Sequence, residues 1–101
     1  MVINLTKDNF DEFINSNKLV LVDFYAEWCG PCRMLSPIIS ELSEKYTDIK
    51  FGKVNVDNEH ELANKFNISS IPNMIIFENG IIKNNIVGLR SKEELERLLN
   101  D

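Results

Sequence analysis

Between Lys18 and Ala26 the chain reads KLVLVDFYA, apolar or aromatic at every position between its ends except Asp23. Successive strand residues point to opposite faces, so a strand with no polar face must be covered on both sides. That rules out a one-sided sheet with a solvated face and calls for helices above and below. The rest of the chain can supply them. Ile3 to Leu5 reads as a short edge strand. In KDNFDEFINS, Phe10, Phe13 and Ile14 recur at helical spacing, with Asp8 or Asn9 as the N-cap. RMLSPIISELSEKY carries Met34, Leu35, Ile38, Ile39 and Leu42 on one stripe, predicting a helix with all five in the core.

Farther on, KFGKVNVD is a third strand, and NEHELANKF a short helix with Leu62 and Phe66 facing inward. NMIIFENGIIKNNIVG reads as two strands joined at Asn79-Gly80, a pair suited to a turn with positive φ at both central residues. Ser91 and Glu94 form a capping box before a last helix with Leu95, Leu98 and Leu99 facing in. The order is β-α-β-α-β-α-β-β-α, which implies parallel pairing through right-handed crossovers and a closing antiparallel hairpin. The expected fold class is α/β, a mixed sheet of about five strands with helices on both faces.

With 101 residues and no repeat or linker, residues 1–101 read as a single domain, and a closed domain of this size needs no partner, so a monomer is expected. Eleven basic against sixteen acidic residues, a net charge of -5, argue against nucleic acid or an anionic membrane as partner. The longest apolar runs, LVLV and MIIF, are too short to span a bilayer. The first residues lack a charged segment followed by an apolar core, so no signal peptide is read and a cytoplasmic location is expected. The sequons at Asn4 and Asn67 are accordingly read as chance matches.

Both cysteines lie in Trp28-Cys29-Gly30-Pro31-Cys32, at a strand-to-helix junction. Two thiols so spaced can be a metal half-site, a structural staple or a reversible redox switch. A structural zinc needs four ligands, and beyond the cysteines the chain offers one histidine, His60, in a separate helix. A staple gains most from closing a long loop, and this loop is very short. A redox dithiol fits the spacing, the junction and a reducing compartment. Cys29 would sit at the N-cap or first turn of the next helix, where unpaired N–H groups and the dipole favour a thiolate. Pro31 suits the first helical turn and stiffens the link between the sulfurs. Asp23 is the conspicuous residue of its strand: a carboxylate either reaching water at the strand end or buried beneath the junction.

FYAEWCGPCRMLSP, SSIP forty residues downstream, then FENG and VG before a final helix, together resemble the thioredoxin family. The similarity runs from about Leu19 to the last residue. It implies the thioredoxin fold and a disulfide reductase that uses Cys29 as attacking thiolate and Cys32 as resolving thiol. Its Gly30-Pro31 pair marks the reducing end of the family. The resemblance makes Asp23 a proton relay to the resolving thiol and places Lys53, otherwise an ordinary strand lysine, beside that carboxylate. It implies a cis Ile71-Pro72 bond, with the Ile71 backbone pairing to an extended substrate segment. Trp28, Gly30, Pro31, Ile71 and Gly88 become the apolar docking surface.

The implied partners are disulfide-bearing target proteins and a thioredoxin reductase. No metal and no bound cofactor is expected, there being no Gly-rich phosphate loop. Pro37, inside a helix pattern, is read as structural. Tyr25, Ser70 and Asn73 depart from residues common in the family. An oxidant or isomerase on the same fold is the nearest rival, and belongs in an oxidising compartment. A binding subunit with incidental cysteines is the rival of another class.

Overall fold

The computed structural model describes residues 1–101. Its elements are β1 (Val2–Asn4), α1 (Phe10–Ile14), β2 (Leu19–Tyr25), α2 (Gly30–Lys45), β3 (Lys50–Asn55), α3 (His60–Lys65), β4 (Asn73–Glu78), β5 (Ile81–Val87) and α4 (Lys92–Leu99). One five-stranded sheet runs β1-β3-β2-β4-β5. β1, β3 and β2 are parallel, while β4 pairs antiparallel with both β2 and β5. The mixed sheet and the element order are those the sequence predicts, and β2 lies at the centre; β4, reached through α3, runs antiparallel to β2 where the alternation implies a parallel crossover.

Alternation along β2 divides the core. Leu21 points to one face and packs with Leu35, Ile39 and Leu42 of α2 and Leu95 and Leu99 of α4. Val20, Val22 and Phe24 point to the other, against Phe10 and Ile14 of α1 and Leu62 of α3. Phe66, half-buried at the end of α3, closes an aromatic cluster with Phe10, Phe24 and Phe77, centroids 5.3 to 6.4 Å apart. Burying each such side chain contributes about 1.5–3 kcal/mol relative to leaving it in water. The period-two residue Asp23 therefore faces the α2 side, like Leu21. That parity aims a carboxylate at the base of the cysteine helix.

Three local expectations are corrected. Met34 lies in α2 but is 63% exposed, because its position on the helix turns it away from the sheet while its neighbour Leu35 is fully buried. Asn9 is the N-cap of α1 but does not cap it with its side chain: Oδ1 accepts the Thr6 N–H at 2.8 Å and so shapes the preceding turn. The Ser91–Glu94 box is half formed. Ser91 Oγ accepts the Glu94 N–H at 3.2 Å, while the Glu94 carboxylate accepts the Ser91 hydroxyl at 3.3 Å instead of the backbone N–H. The hairpin turn is as expected, with φ of 53° at Asn79 and 79° at Gly80.

Gly52 permits the close approach of β1 and α1 to the sheet. A Cβ there would stand 2.5 Å from Leu5 Cδ1 and 3.0 Å from Phe13 Cε2. Leu5 is itself buried, so it has little room to yield. Gly52→Ala is expected to cost about 1–3 kcal/mol, the usual penalty of an overfilled core. An unchanged urea midpoint would show that Leu5 repacks freely.

Candidate active site

The loop after β2 brings the chain to α2, and Cys29 is the N-cap of that helix, with extended backbone (φ -86°, ψ 112°). Its Sγ accepts the Cys32 N–H at 3.2 Å. The cysteines are joined as a disulfide with Cα atoms 5.2 Å apart. Pro31 occupies the first turn, and no acidic residue does, so nothing in that turn opposes the dipole at the sulfur. Both cysteines are buried, packed with Ala26 and the half-buried Tyr25, Val56 and Ile71.

Opposite them lies the Ile71-Pro72 bond, which is cis, as the resemblance implies. The Ile71 carbonyl oxygen stands 3.8 Å from Cys29 Sγ. Neither the N–H nor the C=O of Ile71 bonds to another backbone group of the chain. Gly88 closes this side: its N–H donates to the Pro72 carbonyl at 2.8 Å, and its φ of 97° is one that side chains disfavour. Trp28 is 70% exposed beside the cysteines. Of the other docking residues that the resemblance implies, Pro31 is exposed and Gly30, Ile71 and Gly88 are half-buried.

Asp23 lies in the middle of the sheet, paired in register with Lys53 on β3 and Met74 on β4. It is buried at 5% exposure, and its Oδ1 has no hydrogen-bond partner. Burial pushes the carboxyl up from 3.8 to about 7, while the Lys53 ammonium pulls in the opposite direction. Lys53 is half-buried, its Nζ 5.7 Å from the centre of the Tyr25 ring. The buried alternative for Asp23 therefore holds, and Lys53 is its charged neighbour.

Three contacts went unread in the sequence. Trp28 Nε1 donates to Asp57 Oδ2 at 2.9 Å, orienting the exposed indole. Arg33 Nη1 donates to the Glu27 carbonyl at 2.8 Å. Asn73, which departs from the family pattern, is buried and donates from Nδ2 to Asn85 Oδ1 at 2.6 Å. The Asp57 and Asn85 contacts join residues 29 and 12 positions apart, so no local pattern marks them.

The model of the family described as Thioredoxin matches residues 1–101. The chain belongs to the thioredoxin family. It is 47% identical over 100 residues to the thioredoxin of Chlamydia pneumoniae, covering 99% of this chain and 97% of that protein. With the thioredoxin of Alicyclobacillus acidocaldarius it shares 43% identity, over 98% of this chain and 95% of the other. Among solved structures it is similar to Plasmodium falciparum thioredoxin, with a TM-score of 0.90 at 39% identity, over 98% and 97% of the two chains. The sheet, four helices and the cysteine pair are thus those of a thioredoxin fold. Family and dithiol together make the chain a thiol–disulfide oxidoreductase with protein-disulfide reductase activity. The family implies a thioredoxin reductase and disulfide-bearing proteins as its partners in general. Thioredoxins need no cofactor, no three His, Cys, Asp or Glu side chains are gathered to hold a metal ion, and no helix is long and apolar enough to cross a membrane.

Proposed function

We propose that the chain is a cytosolic dithiol electron donor, monomeric, reducing disulfides in target proteins and recharged by a thioredoxin reductase. In the reduced form the Cys29 thiolate attacks one sulfur of the target disulfide. A mixed disulfide forms on Cys29, and the target's other sulfur leaves as a thiolate. Cys32 then loses its proton and attacks Cys29 Sγ. The Cys29–Cys32 disulfide forms, the second target sulfur departs as a thiolate and takes up a proton, and two electrons have passed to the target. The observation that carries this order is the bond from the Cys32 N–H to Cys29 Sγ at the head of α2. A backbone donor and a helix dipole aimed at one sulfur favour its anionic, nucleophilic form.

The remaining residues have supporting roles. Asp23, poised near neutral pH, receives the Cys32 proton as the mixed disulfide opens. Lys53 limits how far burial raises that carboxyl. The free backbone groups of Ile71 pair with an extended target segment, recognition that tolerates many side chains. Trp28, Gly30, Pro31, Ile71 and Gly88 supply the apolar rim, with Pro72 buried behind Ile71. Turnover of a model protein disulfide with a dithiol donor tests the reading, and an inactive wild type would sink it. Asp23→Asn is expected to slow release of the target at least about tenfold and spare formation of the mixed disulfide. Equal loss in both steps, resolved by single-turnover kinetics, would remove Asp23 from the relay.

A further inference from the structure

Two small spaces lie between the sheet and α2. A cavity of about 20 Å³ is lined by Asp23, Ser36, Ser40 and Lys53 among others. A more open cleft of about 100 Å³ has Cys32 and Tyr25 in its wall, together with Ser36 and Lys53. The two shared residues, Ser36 and Lys53, thus stand between the buried carboxyl and the resolving cysteine. Ser36 is one helical turn beyond Cys32, on the same side of α2. The unpartnered Asp23 Oδ1 belongs to a side chain about 95% buried, taking its 5% exposure from the whole. Roughly 10–15 Å³ is enough for one water given two to four polar partners. Asp23, Ser36, Ser40 and Lys53 offer that many.

Handing a proton from the cleft to the cavity needs a group that both accepts and donates. The Lys53 ammonium has donors only, whereas a serine hydroxyl has one donor and two acceptor lone pairs. We propose that Ser36 is a positioning residue for the release step: its hydroxyl joins the Cys32 cleft to the Asp23 cavity and carries the proton between them. The inference rests on the proton-relay reading of Asp23. As Cys32 Sγ attacks Cys29 Sγ, its proton passes to the Ser36 oxygen, directly or through one water. No hydrogen bond joins Ser36 to Asp23 directly, so the Ser36 proton passes on to the Asp23 carboxylate through a water that the shared cavity has room for, and the hydroxyl is restored. The bond between Cys29 and the target breaks with its electron pair on the target sulfur, so Ser36 is neither oxidised nor reduced. The charged and titratable groups around the path are Asp23 on β2, Lys53 on β3, Tyr25 at the end of β2, Glu27 in the loop that follows, and Cys32 and Arg33 on α2.

Ser36 is exposed in a helix, so Ser36→Ala leaves the fold intact. Single-turnover release from a preformed mixed disulfide, followed across pH, is the test. Ser36→Ala is expected to slow release about tenfold, with formation unchanged. Its pH midpoint should move upward, because the proposed chain from Ser36 through water to Asp23 would supply a donor that favours the carboxylate's charged form. Ser36→Thr should restore most of the rate. In the Asp23→Asn background, Ser36→Ala should change release by less than about twofold, since both act on one path. Wild-type rates and midpoint in Ser36→Ala would overturn the proposal. A slower rate with an unmoved midpoint, no rescue by Thr, and full additivity with Asp23→Asn would also overturn it, reducing Ser36 to packing. If Asp23→Asn itself leaves release untouched, the relay reading fails first, a result distinct from both.

Discussion

Asp23→Asn is expected to stabilise the oxidised protein by about 4 kcal/mol more near pH 8.5 than near pH 3.5. Burial raises the native carboxyl from 3.8 to about 7, and Lys53 only partly offsets it. In strong acid the group is protonated in both states and adds no pH-dependent term. Between roughly pH 4 and 7 the unfolded chain ionises at Asp23 while the native chain stays protonated. The unfolded state then binds fewer protons, and native stability falls as pH rises. The stability is therefore present below the unfolded value and lost on passing through the folded one. Asn does not titrate, so the variant lacks this slope, and subtracting the two profiles cancels the fixed cost of burying an amide. Urea unfolding across pH, with the disulfide intact so that no thiol titrates, gives the comparison. A flat difference curve would mean that the native carboxyl titrates as it does in the unfolded chain and would undercut its use as a proton acceptor near neutral pH.

Such a cost borne by the resting protein explains why Asp23 was conspicuous in the sequence. Within Leu19–Tyr25 every other residue is apolar or aromatic and serves a sheet covered on both faces, and the single exception marks chemistry. Period-two parity even sends it toward α2, the helix that carries the cysteines. The fold was legible for a related reason: strand and helix periods alternate cleanly, and Asn79-Gly80 and Ser91 mark their ends. Errors arose where apolar pattern and burial part company. Met34 fits a helical stripe but lies on the face of α2 turned from the sheet, exposed between buried Cys32 and Leu35. Asn9 has the right chemistry for a cap, yet its side chain serves the preceding Thr6 N–H. The Trp28–Asp57 bond exists because β2 and β3 lie side by side, and the Asn73–Asn85 bond because β4 pairs with β5; side-chain geometry of that kind has no one-dimensional trace. Ser36 is intermediate. Its spacing from Cys32 was readable, whereas its place between two cavities was not.

The largest effect is expected from the cysteines themselves. Cys29→Ser should reduce turnover of a protein disulfide by at least about 10³-fold, to the rate of the dithiol donor alone, as loss of an attacking group does elsewhere. Cys32→Ser should abolish turnover equally, and for another reason. Cys29, reduced beforehand and freed of donor, can still attack, but the chain has no second thiol to resolve the product, so a covalent adduct with the target accumulates and survives denaturation until a reductant is added. The substitutions keep lost chemistry apart from lost structure. Serine is a preferred N-cap, so at position 29 it can accept the Cys32 N–H as the sulfur does. At position 32, inside α2, its hydroxyl can bond to a carbonyl of the preceding turn. Thermal unfolding of both variants should match the reduced wild type within a few degrees. Adducts on Cys29→Ser in place of Cys32→Ser would reverse the order of attack and leave Asp23 and Ser36 serving the wrong sulfur.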